Sequence, residues 1–264
     1  MAKDLTPSGA RLGGTVAYAG LTAAALGAHV GIITACADDL DLQPLMHMEL
    51  VAHPSSSTTT FTNRELQSGR EQTLQSRAEK LTIDVVPLSW RRAAIIHLAP
   101  IADEIDLDML DALPAASIYL TPQGWLRTWD QDGRIARKEW DAIATQLALA
   151  RAVVCSSEDL GHDAHAAHRM AQKTRVLAVT RSHQGAWLFV EGERSEIPGE
   201  DVEEVDPTGS GDIFSAAFFW ELHGGSNPFQ AAQFANRLAA RSVTRAGLDA
   251  IPTDDEIAKA RGSN

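Results

Sequence analysis

The sequence has little cysteine, no long apolar run and a deficit of basic residues. Cys36 and Cys155 are the only cysteines among 264 residues and form no CxxC pair, which favours a reducing, cytoplasmic environment. No run approaches the ~20 apolar residues of a membrane span, so no membrane partner is expected. The 23 Lys and Arg residues against 35 Asp and Glu give a net charge of −12. That balance argues against a nucleic-acid partner.

Three common functional motifs are also missing. The sequence has no GxxxxGK[ST] run, so it does not predict a Walker phosphate loop. Gly209 and Gly211 form a GxG pair without the third glycine of a dinucleotide-binding fingerprint, and the pair lies near the C-terminus. Ser210 does not stand in a GxSxG sequence, so it is a poor candidate for a nucleophile.

What is present predicts an α/β fold. Hydrophobic content of 44% and charged content of 22% are typical of a soluble globular protein. Short β-branched runs alternate with helical patterns, which predicts a mainly parallel sheet covered on both faces. No linker or internal repeat interrupts the pattern, so residues 1–264 are expected to form one domain. The predicted helices are Gly13–Gly27, Asp106–Leu113, Glu139–Leu149, Glu158–Gln172, Asp212–Leu222 and Phe229–Thr244.

One segment breaks the α/β pattern. Thr58–Arg77 is polar, rich in threonine and has a turn at Ser68-Gly69, which predicts an antiparallel hairpin. With residues 5–12, the segment 56–77 is expected to form a small β lid, which is also a candidate homodimer surface. Arg64 and Arg70 either reach a carboxylate or phosphate of a substrate or only lie on the surface of this lid, and the sequence does not decide between the two.

The stretch "VDPTGSGDIFSAAF" (Val205–Phe218) carries the strongest chemical signal. Thr208–Gly211 reads as a strand-to-helix turn, and the glycines let free backbone N–H groups approach an anion. Asp212 is out of place in a simple phosphate site because like charges repel. It fits if the carboxylate takes a proton from a hydroxyl that attacks phosphorus. The alternative is that Asp212 only caps the helix and the glycines only serve the turn.

Four stretches together resemble the ribokinase-like (PfkB) carbohydrate kinases. "DPTGSGD" is similar to the family's DTxGAGD signature, and "GGTVAYAGLTAAALG" is similar to its N-terminal double-glycine motif. "LAVTRSHQGAWLF" and "FANRLAARSVTRAGLDAIPT" resemble the elements beside the nucleotide. "TPQGWLR" (Thr121–Arg127) resembles the subgroup of inositol and polyol kinases. The resemblance implies a three-layer α/β/α fold with a β lid.

The resemblance also implies an activity. It implies ATP-dependent phosphorylation of a hydroxyl on a sugar, cyclitol or sugar acid, with Asp212 as general base. The backbone of Gly209, Ser210 and Gly211 would form the anion hole for the transferred phosphoryl group. Two alternatives stay open: a nucleoside kinase with the same machinery, and a silent member that binds a sugar or nucleotide without turnover.

The remaining roles implied by the resemblance fall into three groups. The substrate would be bound by Asp4, Gly13 and Gly14 together with Asp212. The nucleotide would be bound by Thr180, Gly185, Thr208, Gly209, Gly211 and Asn236. Mg²⁺ would be held through water by Asp159, and a monovalent cation such as K⁺ would lie near Asp206 and Thr208.

The sequence departs from the family pattern at several positions. Pro207 and Ser210 replace a threonine and an alanine of the signature, and Tyr18 stands where the family has asparagine. The NxxE element near Mg²⁺ is reduced to Ser156-x-x-Asp159. Family members begin with a strand that ends in an aspartate, whereas Asp4 has no predicted strand before it. The first strand of the family is therefore expected to be missing, with the native chain starting upstream of Met1.

Overall fold

The computed structural model describes residues 1–6, 9–66 and 69–262, without the side chains of 64–66, 69–71 and 116. The strands are β1 (Ala2–Thr6), β2 (Gly9–Gly13), β3 (Gly31–Cys36), β4 (Glu49–Pro54), β5 (Thr60–Leu66), β6 (Gly69–Ser76), β7 (Ile96–Leu98), β8 (Ile118–Leu120), β9 (Arg127–Trp129), β10 (Ile135–Arg137), β11 (Ala152–Ser156), β12 (Val176–Thr180), β13 (Gly185–Val190) and β14 (Glu193–Pro198). The α-helices are α1 (Thr15–Ala25), α2 (Ala144–Leu149), α3 (Ala164–Ala171), α4 (Ser210–His223), α5 (Pro228–Ser242) and α6 (Asp254–Ala260).

The centre of the molecule is a six-stranded sheet in the order β14-β13-β12-β11-β8-β7. The pairs β7-β8, β8-β11 and β11-β12 are parallel, and β13 and β14 add an antiparallel edge. The parallel strands are short apolar runs because both faces are covered. One face packs against a core that includes α4 and α5, and the other against a core that includes α2 and α3. The predicted three-layer arrangement is therefore confirmed.

Three of the predicted helices are shorter or tighter than expected. Within Glu139–Leu149 only α2 is α-helical, and a 3₁₀-helix over Trp140–Ile143 precedes it. Asp106–Leu113 contains a 3₁₀-helix over Leu107–Ala112 instead of an α-helix, because Pro114 follows and leaves room for barely two turns. Within Glu158–Gln172 only α3 is helical, since it starts at the Asp163 cap, where the carboxylate accepts from the backbone N–H of His165. The preceding residues form turns.

A second, four-stranded sheet runs in the order β2-β1-β5-β6. The predicted hairpin is confirmed as the antiparallel pair β5-β6, although the turn residues Gln67 and Ser68 and the side chains of Arg64 and Arg70 lie outside the described residues. β1 pairs antiparallel with β2 and parallel with β5. The expectation that no strand stands before Asp4 is wrong in this respect, because Asp4 is the middle residue of β1. The function of this sheet as a lid or dimer surface stays a prediction.

β3 and β4 form a separate parallel pair, and a mainly apolar cavity of about 390 Å³ separates β3 from β7. Its walls include Gly31–Ile33 of β3 and Ile96–Leu98 of β7. Within residues 1–6, 9–66 and 69–262, neither strand pairs on the side that faces the other. A strand between them would extend the central sheet. The expectation that a family strand is missing stays a prediction.

In the part of the chain that the structure describes, no helix has both the length and the apolarity to cross a membrane.

Candidate active site

The loop before α4 is held by its own aspartate. Asp206 accepts a hydrogen bond from the backbone N–H of Thr208 at 3.0 Å through Oδ1, and one from the N–H of Gly247 at 3.3 Å through Oδ2. The first contact forms a tight turn, and the second ties the loop to the segment after α5. Gly209 then adopts φ 82°, a left-handed conformation that glycine reaches without strain. α4 begins directly afterwards at Ser210.

Asp212 lies in the first turn of α4 and is held by α1. The hydroxyl of Thr15, the first residue of α1, donates a hydrogen bond to its carboxylate. Removal from water raises the pKa of Asp212 to about 6, and the charge of Asp4 adds to this effect. Thr15, the Met1 amino group and Arg127 act in the opposite direction. A carboxyl group whose pKa lies near the working pH is suited to accept a proton and release it again.

The double glycine lets Asp4 approach this carboxylate. An added Cβ at Gly13 would lie 2.1 Å from Oδ2 of Asp4, so only glycine leaves room for that carboxylate. Gly14 has φ 78°, and a Cβ there would lie 2.8 Å from the backbone nitrogen of Ala2. The two glycines thus let β1 lie directly against the start of α1. The predicted substrate residues Asp4, Gly13 and Gly14 come together beside Asp212.

A second cleft, of about 370 Å³, lies at the N-terminus of α4. Predicted nucleotide residues from four elements line it: Thr180, Gly185, Gly211 and Asn236. Asn236 donates through Nδ2 to the carbonyl of Pro198 at 3.0 Å, which fixes the orientation of its amide. The other two predicted nucleotide residues, Thr208 and Gly209, belong to the loop before α4 but do not line this cleft. The remaining lining residues are Ser182, His183, Gly199, Glu200, Asp201, Val202, Glu204, Pro207, Ser210, Phe214, Ala239, Ala240 and Val243.

Gly185 shapes the cleft through the backbone. It has φ 86°, and an added Cβ would lie 2.1 Å from the carbonyl oxygen of Ile197 on the neighbouring strand β14. Any side chain here would push β13 and β14 apart at the cleft wall. The glycine is therefore required where the β12-β13 connection meets the cleft.

The cation candidates differ in their surroundings. Oδ2 of Asp159 accepts from the backbone N–H of Ser156 at 2.9 Å and from its hydroxyl at 2.8 Å, so this carboxylate closes its own turn after β11. Both carboxylate oxygens of Asp206 bind backbone amides. Among the described residues, no group of three or more His, Cys, Asp and Glu side chains is arranged to hold a metal ion. Glu200, Asp201 and Glu204 nevertheless give the cleft an acidic wall.

Sequence reasoning did not find all of these residues. Thr15 was missed, although it directly follows the double glycine at the start of a helix. Arg127 appeared only as part of the stretch Thr121–Arg127, and its electrostatic effect on Asp212 depends on the fold. Asp212, Asp4 and the glycines were found because their spacing or their resemblance to a motif is visible in the sequence.

Comparison with known proteins agrees with this arrangement. Residues 137–255, which include the loop before α4, match the family model described as pfkB family carbohydrate kinase. Over these residues, which are less than half of its length, the chain is similar to the PfkB carbohydrate kinases. A ribokinase of Bacillus subtilis is 39% identical over 82 residues, a match that covers 31% of this chain but only 28% of that enzyme.

Solved structures of the ribokinase family share the fold of this chain over nearly its whole length. A pyrophosphate-dependent kinase bound to a pyrophosphate analogue and myo-inositol has a TM-score of 0.81 and 19% identity, covering 98% of this chain and 96% of that one. A fructokinase of Xylella fastidiosa with bound ATP has a TM-score of 0.75 and 19% identity, covering 98% of this chain and 94% of that one. At these identities the likeness shows the fold.

The raised pKa of Asp212 makes a prediction about pH. If the carboxylate must be ionised to accept a proton, kcat/KM should rise as pH increases through about 6 and level off above it. The measurement is initial rates from pH 5 to 8 at fixed ionic strength, with an acceptor that is not itself ionised in this range. A rate that falls over the same interval would contradict the assignment of Asp212 as base.

Proposed function

We propose that this protein transfers the γ-phosphoryl group of ATP to a hydroxyl of a sugar, cyclitol or sugar acid. One observation carries the proposal. The first turn of α4 has two different sets of neighbours, since Ser210 and Gly211 line the cleft of about 370 Å³ while Asp212 interacts with Thr15 and Asp4. A phosphoryl donor and a hydroxyl acceptor would thus meet on opposite sides of a single helical turn.

The chemical step follows from these positions. The acceptor hydroxyl lies against Asp4, Gly13 and Gly14, and Asp212 takes its proton as the oxygen attacks the γ-phosphorus. The bond from that phosphorus to the β,γ-bridging oxygen breaks, and ADP leaves through the second cleft. The N–H groups of Gly209 and Gly211 and the positive end of α4 stabilise the negative charge on the transferred group, whereas the N–H of Ser210 donates to the carbonyl of Pro207 at 3.2 Å.

The acidic wall of the donor cleft fits a need for Mg²⁺. Glu200, Asp201 and Glu204 would repel the phosphates of ATP unless a divalent cation stood between them. Because these carboxylates are not arranged as a direct ligand set, they and Asp159 would act on Mg²⁺ through water, and the ion would neutralise phosphate charge when bound. Asp206 keeps the loop in shape through its two backbone contacts, and a monovalent cation such as K⁺ would lie beside it.

ATP is favoured as donor by the far end of the same cleft. Ala239 and Ala240 of α5, with Val243 directly after the helix, give this cleft an apolar wall, and Asn236 lines the same cleft. Such a wall suits the flat face of a purine, with Asn236 at its edge. Pyrophosphate, the donor of one structural relative, has no group to place there.

A panel of acceptors tests the proposal. Release of ADP from ATP and release of phosphate from pyrophosphate are measured with inositols, hexoses, pentoses, sugar acids and nucleosides. We expect ATP-dependent turnover with a polyhydroxylated acceptor, and none when Asp212 is replaced by alanine. Turnover restricted to nucleosides would identify the nucleoside kinase alternative. ATP binding with no turnover on any acceptor would identify the silent binder and overturn the proposal.

A further inference from the structure

Tyr18 fills the space that a side chain at position 209 would occupy. An added Cβ on Gly209 would lie 2.3 Å from Cδ1, 2.4 Å from Cγ and 2.5 Å from Cε1 of the Tyr18 ring. The ring therefore rests directly against the α-carbon of Gly209, the residue at which the loop turns into α4. The side chain is 3% exposed, so the contact is inside the protein.

The same turn of α1 contacts both parts of the proposed catalytic loop. Thr15 and Tyr18 are three residues apart and share one face of the helix. Thr15 donates a hydrogen bond to Asp212, and the ring of Tyr18 packs against Gly209. Gly14 is the N-cap of α1, and its carbonyl accepts a hydrogen bond from the backbone N–H of Tyr18 at 3.4 Å. One rigid helical turn thus sets the position of the base and of the anion hole relative to each other.

We propose that Tyr18 is a positioning residue for phosphoryl transfer, and that its ring holds Gly209 in the left-handed conformation that aims the N–H groups of Gly209 and Gly211 at the donor. The role rests on the proposed function. Tyr18 stands where the family pattern has asparagine, so the aromatic contact is a feature of this chain. Its hydroxyl stays protonated, since burial and the nearby charges of Asp206, Asp4 and Asp212 raise its pKa. The ring is the part that supports the loop.

Two substitutions separate the ring from the hydroxyl. Tyr18→Phe keeps the ring, and we expect kcat within threefold of the wild type. Tyr18→Leu removes the flat surface under Gly209, and we expect kcat to fall by 30-fold or more while KM for the acceptor changes by less than threefold. The control is Phe218→Leu, which removes a fully buried ring of α4 from the same core and should leave kcat within threefold.

A second readout does not depend on turnover. The backbone N–H groups of Thr208 and Ser210 donate within the loop, to Asp206 Oδ1 at 3.0 Å and to the carbonyl of Pro207 at 3.2 Å. Tyr18→Leu should speed their hydrogen exchange at least tenfold, whereas Tyr18→Phe and Phe218→Leu should not.

Each outcome decides the role of the ring. Wild-type kcat and exchange in Tyr18→Leu would overturn the proposal, and so would a Tyr18→Phe variant as slow as Tyr18→Leu. If the wild type phosphorylates no acceptor, the proposed function fails, while the exchange rates still show whether the ring holds the loop.

Discussion

Replacing Asp212 by asparagine should lower kcat by about 10²- to 10⁴-fold, the range typical of a lost general base. The asparagine side chain has the same shape as aspartate and can still accept the hydrogen bond of Thr15. It cannot take the proton of the acceptor hydroxyl. We therefore expect KM for the acceptor to change little. The measurement is initial rates with saturating ATP over a range of acceptor concentrations.

The same substitution should make the protein more stable. Asp212 has a pKa of about 6 in the folded protein against 3.8 as the ordinary value, so the folded state binds the proton more tightly than the unfolded state. The contribution of Asp212 to the free energy of unfolding is therefore most favourable below pH 3.8 and is lost as pH rises through 6. At pH 7 the ionised carboxylate costs about 1–3 kcal/mol, which the neutral amide avoids.

Denaturant unfolding at pH 7 and at pH 4 checks this effect. Asp212→Asn should raise the free energy of unfolding at pH 7 and have a smaller effect at pH 4. Asp111→Asn is the control, because Asp111 is an exposed carboxylate on the 3₁₀-helix Leu107–Ala112, remote from the loop. A variant that is inactive but less stable than the wild type at pH 7 would contradict the electrostatic account of the site.

Replacing Gly13 by alanine should lower kcat/KM for the acceptor by about 10- to 100-fold, the value of one lost hydrogen bond to a charged group. The new Cβ would lie 2.1 Å from Oδ2 and 3.0 Å from Cγ of Asp4, so the carboxylate must move away from its place beside Asp212. The effect should appear in the acceptor KM, because Asp4 is proposed to bind the acceptor. The KM for ATP should stay the same.

The control for this variant is Gly224→Ala. Gly224 follows α4, has an ordinary helical φ of −66°, and an added Cβ would meet its nearest atoms at 3.5 Å. Its kinetic constants should match those of the wild type. An unchanged acceptor KM in Gly13→Ala, with a folded protein, would show that Asp4 does not bind the acceptor.

The central sheet and the catalytic loop could be predicted from the sequence because their signals are local. Apolar runs such as Ala152–Ser156 mark buried parallel strands, and the spacing of Gly209, Gly211 and Asp212 marks a strand-to-helix turn. β1 was not predicted because "AKDLT" is mostly polar. It becomes a strand through its pairing with β2, which follows it directly, and with β5, which lies far away in the sequence.

The contacts across the site could not be predicted for a related reason. Thr15 and Tyr18 look like ordinary residues of a helix rich in small side chains. Their contacts with Asp212 and Gly209 exist only because α1 packs against the start of α4, almost 200 positions later in the chain. The effects of Arg127 and the Met1 amino group on Asp212 depend on the fold in the same way.

The most direct test of the account is to follow phosphorus during the reaction. ³¹P NMR of ATP, Mg²⁺, enzyme and the best acceptor of the panel should show the γ-phosphate signal replaced by a phosphomonoester signal coupled to a carbon-bound proton of the acceptor. With Asp212→Asn the ATP spectrum should stay unchanged over the same time. Inorganic phosphate as the only new signal would show hydrolysis without transfer, and it would contradict the proposal that Asp212 activates an acceptor hydroxyl in this site.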